Sequence, residues 1–280
     1  MKKAIWPTIV GAIAAVVILV ARVGGQAPGA PVVEKASQYV ADFVRRFSRV
    51  VAEERYVQDS KPQGRAQHRE LVADFLLVKP AETSGWTVFR DVFEVDRVAL
   101  RDREERVMRL FLDSPMTAAA QAAEITRESA RYNIGPQRTI NNPLLPLAFL
   151  QEMYRSQFLF SVDRRDRTRI DGKDVAVVEY TETGRPTIIR GRAGSDVPSS
   201  GRYWVDEQTG LILKTELAVD LPNLRSKIVV SFHFDERFQL GVPFQMDEEY
   251  SGRESASTKA TARYDHFRRF EVKTEEQIRP

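Results

Sequence analysis

Along the last third of the chain, from Gly201 to about Lys273, apolar and polar positions alternate with the period of two that a half-buried strand imposes. Tyr203 and Val205 alternate with Arg202, Trp204 and Asp206. Glu207-Gln208-Thr209-Gly210 then supplies a turn, with glycine where a positive φ is needed. Beyond it Leu211, Leu213, Thr215, Leu217 and Val219 share one face, opposite Ile212, Lys214, Glu216 and Ala218. This pattern predicts a hairpin. Ile228, Val230, Phe232 and Phe234 alternate with Val229, Ser231 and His233 on the next strand. Phe244, Met246 and Tyr250 share a face on the one after, with Glu248 among them, and Ala260, Ala262 and Tyr264 do so on the last.

Upstream the period changes to that of a helix. Between Val33 and Tyr56 a stripe of Val40, Phe43, Val44, Phe47, Val50 and Val51 faces away from Arg45, Arg46, Arg49 and Glu53, which predicts a core-facing amphipathic helix. Asp59 to Gln67, with Pro62 and Gly64, reads as a loop. Glu70–Val78 and Trp86–Val95 read as strands. The first is apolar on both faces and requires cover on both. Val98–Leu112 fits a strand at its start and a helix from Arg103. Ser114 as N-cap, Pro115 at the first position and Gly135-Pro136 as a stop bound a helix. A second short helix starts at Asn142 and carries Leu144, Leu145, Leu147, Phe149, Leu150 and Met153 nearly all round, so it must be buried or cover something apolar. Strands resume at Phe158. Asp171-Gly172 is a two-residue hairpin signal ahead of Val175–Val178, and 186–190 reads as a shorter strand before a loop to Gly201.

The N-terminus follows neither pattern. Lys2 and Lys3 precede an uncharged, almost wholly apolar run from Ala4 to Ala21, and small residues follow in 23–27. This is the form of an export signal, with cleavage after Gly25 or Ala27. The run is also nearly long enough to span a bilayer, so an uncleaved anchor is the alternative. Either way the body lies outside the cytoplasm. The leader also resolves the charge. Removing Lys2, Lys3 and Arg22 leaves 39 basic residues against 39 acidic ones, so the body lacks the basic excess of a nucleic-acid-binding surface. The chain has no cysteine, which excludes disulfides, thiolate metal sites, cysteine nucleophiles and lipid attachment at an N-terminal Cys.

Candidate chemistry is sparse. The sequence holds no HExxH, GxSxG, complete phosphate loop or EF-hand spacing. His233 and His266 fall on strands expected to be neighbours, where a metal or acid–base pair is conceivable, but His68, His233 and His266 read best as solvent-facing strand residues. Asp163, Asp166, Asp171 and Asp174 interleave with Arg164, Arg165, Arg167 and Arg169, which reads as a solvated hairpin rather than a docking surface. Glu248, on an otherwise apolar face, is either a buried acid paired with an arginine or a residue at the mouth of a cavity. No catalytic or metal-ligating residue and no cofactor is assigned.

The order of elements and three short motifs carry a resemblance. Trp204-Val205-Asp206, Thr209-Gly210-Leu211 and Lys214 form a tryptophan–apolar–aspartate hairpin, with Asp171-Gly172 before an apolar strand and Gly241-Val242-Pro243 near the end. Over roughly Ala36 to Val272 the chain resembles the periplasmic lipoprotein-carrier family. That resemblance implies an α+β, mainly antiparallel fold: a strongly curved incomplete barrel wrapped around helices that close an apolar cavity. It implies a leader or anchor at 1–27, a linker at 28–35, one domain at 36–273 with a helical insertion at about 114–155, and a tail at 274–280. The expected function is non-enzymatic binding of a lipid or acylated protein in the periplasm. The alternatives are a membrane-tethered interaction or envelope-assembly protein with an inner-membrane partner, and a hydrolase without a recognisable motif. If a cavity exists, alternation places Ile228, Val230, Phe232, Phe244 and Met246 on its wall, with Leu144, Leu147 and Phe149 as its cover.

Overall fold

The computed structural model describes residues 30–48, 50–79, 85–100, 124–135, 138, 140–222, 224–252 and 257–269. The leader 1–27, the helix start at Ser114-Pro115 and the tail 274–280 lie outside them.

The described residues begin with α1 (Ala30–Phe47), whose Val33, Ala36, Val40, Phe43, Val44 and Phe47 form a buried stripe at three- and four-residue spacing. Arg45 and Arg46 in its last turn oppose the helix dipole, and both reach Asp42 at 2.9 Å. The helix therefore starts inside the stretch expected to be a linker and stops short of Tyr56. Val50 and Val51 instead open a strand, where branched side chains are less crowded.

Among the described residues eleven strands form one antiparallel sheet: β1 (Val50–Ser60), β2 (Gln67–Val78), β3 (Thr87–Val95), β4 (Val98–Ala99), β5 (Phe158–Ile170), β6 (Lys173–Glu182), β7 (Ser199–Asp206), β8 (Ile212–Leu221), β9 (Leu224–Asp235), β10 (Leu240–Ser251) and β11 (Thr258–Arg269). Their order is β4-β3-β2-β1-β11-β10-β9-β8-β7-β6-β5. Two runs of consecutive neighbours are thus joined where β1 pairs β11, and β4 and β5 end the sheet. It is an incomplete barrel, curved around α1. Asp171 and Gly172 both take positive φ in the β5–β6 turn, as a two-residue hairpin loop requires. Gly210, at φ +77°, closes the β7–β8 loop against the backbone of Lys35 on α1.

The sequence period places most side chains, and bulges move the rest. A register shift between Trp204 and Val205 sends Leu211 and Leu213 to the outer face, where they pack with Trp204, Val175 and Val177. Ile212 joins Leu217 and Val219 in the main core instead. The cover required by β2 on its second face is present. Val51, Leu76 and Phe89 meet Ile125 of α2, a helix over residues 124–130. The expected helix from Asn142 is two short ones, α3 (Leu145–Ala148) and α4 (Glu152–Arg155), separated where Gln151 turns extended. The 186–190 segment is no strand beyond a single bridge at Arg190. Its amides bond side chains instead: Thr187 N–H donates to Asp196 at 2.8 Å and Ile188 N–H to Glu182 at 2.6 Å.

Candidate functional site

Seven of the eight residues placed at the ligand come together, in one continuous core with α1. Ile228, Val230, Phe232, Met246, Leu144, Leu147 and Phe149 are each at most 2% exposed and belong to one cluster. Phe244 is 39% exposed and lies against the ring of His233. The register shift between Pro243 and Gln245 separates it from Met246, although the two are spaced for one face. None of the eight lines the groove described next.

A groove of about 710 Å³ lies between α1, α4 and the strands at the β2–β3 connection. Val44, Ala41, Trp86 and Met153 give it an apolar surface, while Arg45, Lys79 and Arg155 bring positive charge and Glu34 and Glu152 negative charge to it. Two contacts hold α1 to the α3–α4 segment: Ser37 Oγ donates to the Leu150 carbonyl at 2.6 Å, and Arg155 reaches Glu34 at 2.6 Å. The bond from Arg155, with a smaller one from Gln38, holds the Glu34 carboxyl below its ordinary pKa. Met153 is 47% exposed, and the indole N–H of Trp86 is buried with no hydrogen-bond partner among the described residues. Alternation along strands could not find this groove, since helix flanks and a strand connection make it.

Inside the sheet, over β1, β11 and β10, lies a polar layer. Glu54 on β1 is fully buried and takes Arg90 of β3 through both Nε and Nη2, and the Tyr264 hydroxyl at 2.7 Å. Burial pulls the Arg90 pKa down, but Glu54 more than offsets this and holds it above the ordinary value. Arg138 donates to the Ile134 carbonyl, the Tyr56 hydroxyl and Gln58 Oε1 at 2.6–2.8 Å. Its Nε stands 3.5 Å from Glu248 Oε2, and its guanidinium lies over the Tyr250 ring. Glu248 is thus the buried acid paired with an arginine, not a residue at a cavity mouth. Burial raises its pKa against the pull of Arg138. The Arg138 partnership had no sequence signal, because nothing in its surroundings marks it as core.

The histidines are not brought together. His233 is on β9 and His266 on β11, with β10 between them. His266 stands near Asp265 and Glu53, at 3.0 and 3.6 Å, on the exposed face. Glu53 is also held by Arg55 at 2.7 Å, so the group reads as an ion-pair cluster. His68 sits between Asp59 and Glu70 and is about half exposed, as expected of a solvent-facing strand residue. On the β5–β6 hairpin, Arg169 and Asp174 form an exposed pair at 3.1 Å.

No protein-family model and no curated protein matches the sequence. Among solved structures the chain is similar in fold to a domain from Vibrio parahaemolyticus described as a candidate outer membrane lipoprotein-sorting protein. That match has 13% identity and a TM-score of 0.44, over 87% of this chain and 95% of that one. It is similar to a DUF1329 family protein from Desulfovibrio piger, with 11% identity and a TM-score of 0.36, over 85% of this chain and 92% of the other. A LolA superfamily protein from Nitrosomonas europaea matches with 13% identity and a TM-score of 0.33, over 88% and 94%. No helix among the described residues is long and apolar enough to cross a membrane.

Proposed function

We propose that the chain is an exported, non-enzymatic binding protein of the periplasm, which holds the apolar chain of a lipid or acylated protein in the groove between α1 and α4. The observation that carries this reading is the composition of the groove. Its volume of about 710 Å³ falls in the range of small-molecule sites. Met153 and Trp86 offer apolar surface to it, for contact with an acyl chain. Lys79, the lining cation with no ion pair among the described residues, suits an anionic head group. The leader supports export, with or without retention as an inner-membrane anchor.

The filled interior favours a second reading, a membrane-tethered interaction protein of the envelope, in which the core only holds the fold. Native mass spectrometry of protein purified without detergent separates the two. Co-purifying lipid in the wild type, lost in Met153→Glu, supports the groove. Protein free of lipid that also fails to take up a fluorescent fatty acid moves the function to the second reading.

A further inference from the structure

The groove has a direction along α1, from a polar end to an apolar one. We propose that its ligand is a single-chain amphiphile with an anionic head, the head beside Lys79 and the chain running along α1 towards α4. This rests on the reading of the groove as the ligand site.

The direction follows from α1 and the elements beside it. Glu34, Ser37, Gln38, Ala41, Val44 and Arg45 line the groove at three- and four-residue spacing, one stripe of helix roughly 16 Å long at 1.5 Å per residue. Its first half is polar and carries α4, through the Ser37 bond to the Leu150 carbonyl and the Arg155–Glu34 pair. Its second half holds Ala41 and Val44 and lies towards the end of β2, since Val51, just after α1, pairs with Leu76. Val78 pairs with Thr87, so Lys79 and Trp86 stand opposite each other one residue further on, and both line the groove. Apolar surface from Ala41, Val44 and Trp86 therefore adjoins Lys79, and Met153 extends it on α4.

The charges sort by whether they are already matched. Arg155 is held by Glu34 at 2.6 Å and Arg45 by Asp42 at 2.9 Å. Lys79 and Glu152 are the lining charges with no ion pair among the described residues, one at the strand end and the other on α4. An anionic head is drawn to the first and repelled by the second, which fixes the way an amphiphile lies. Glu152 shares its helical turn with Arg155, so it offers a cationic head no comparable site. The Lys79 ammonium, a point charge with three donors on a flexible stem, accepts a carboxylate or a phosphate alike. Size limits the chain. At roughly 30 Å³ per water-sized group, about 710 Å³ has room for about two dozen such groups, one acyl chain with its head rather than two chains.

Binding to the exported protein, purified without detergent, tests this with palmitate, monopalmitoyl glycerol 3-phosphate, neutral monopalmitoyl glycerol and two-chain dipalmitoyl glycerol 3-phosphate, each delivered from cyclodextrin. Native mass spectrometry counts bound lipid, and pairwise competition ranks the probes. One molecule per chain is expected. The single-chain anions should lead the neutral ester about three- to tenfold, the span from an exposed ion pair to a charge-assisted hydrogen bond, and should lead the two-chain lipid as well. A lead for palmitate marks a free fatty acid, and a lead for the phosphate marks a lysophospholipid. Lys79→Gln should bring the anions level with the neutral ester and leave that ester unchanged, whereas Glu152→Gln should tighten the anions alone. Both side chains are exposed, so the denaturation midpoint should hold in each variant. Equal binding of anions and neutral ester, or a preference that survives Lys79→Gln, overturns the proposal and leaves the groove as the site. A two-chain lipid that binds best does the same. If no probe binds, the groove reading itself fails and the proposal falls with it.

Discussion

The interior of the half-barrel and the groove at its rim are built from the same kinds of residue and differ in what faces them. Phe232 is 2% exposed among α1 and its neighbouring strands, while Met153 is 47% exposed on α4. An apolar strand face is therefore not evidence of a cavity: α1 and the α3 segment fill the concavity that the curved sheet creates. Space remains between α1 and α4, and there the lining is mixed. A hydrophobic ligand, if the interior stays packed, has to be held at the rim.

The sharpest way to break this contrast is Phe232→Ala. In a filled core truncating a buried phenylalanine should cost about 3–5 kcal/mol. Chemical denaturation of ligand-free protein measures it. A loss well below that range would mean that the interior holds room it does not display, and would return the ligand to the sheet.

The next effect is smaller and concerns how the polar end of the interior is held. Tyr264→Phe removes a hydroxyl donor from the buried carboxylate of Glu54 and should cost about 1.5–3 kcal/mol, as for a hydrogen bond to a charged group. Tyr203→Phe removes a donor to the neutral carbonyl of Pro146 and should cost about 0.5–1.5 kcal/mol. Equal losses would show that the Tyr264 bond is worth no more than one to a neutral carbonyl.

These residues also show what was legible in the sequence. Period-two alternation located the strands from β7 to β11 and the β5–β6 turn, because one buried face leaves a readable trace at every second residue. It failed at the bulges, where one extra residue sends Phe244, Leu211 and Leu213 to the other face without altering the composition. Helix α1 was legible as a stripe but its end was not, since Val50 and Val51 extend the helical period while belonging to β1. The polar layer was half legible. Glu248 stands out against apolar neighbours, but Arg138, Gln58 and Arg90 join the layer from segments of ordinary polarity. The groove left no trace, since it exists only once α1 and α4 are placed side by side.

The two regions also titrate in opposite directions. Glu248 in the interior is pushed up by burial, while Glu34 at the groove is pulled down by Arg155. For Glu248 the folded state holds its proton more tightly than the unfolded one. Its contribution to stability is thus present below the unfolded value of about 4.3 and is lost as pH rises through the folded value. For Glu34 the contribution is present above the unfolded value and lost as pH falls through the folded one. Carboxyl NMR should place Glu248 above and Glu34 below an ordinary glutamate. Stability measured against pH should fall less steeply towards neutral pH in Glu248→Gln than in the wild type. A Glu248 that titrates in the ordinary range would mean that water reaches the interior layer.

The smallest effect on stability should come from Met153→Ala. Its side chain is about half in water and loses little packing on truncation, so the change should stay within about 0.5 kcal/mol. Uptake of an apolar chain should respond quite differently. Met153 is one of few apolar side chains on the groove surface, and its flexible thioether can mould to an alkyl chain as a rigid residue would not. Shortening it removes contact area from bound ligand and none from the core. Binding of a fluorescent fatty acid should therefore weaken severalfold while the denaturation midpoint holds. The inverse result, a large loss of stability with uptake unchanged, would make Met153 part of the fold's packing. A variant that alters neither quantity would place the ligand elsewhere.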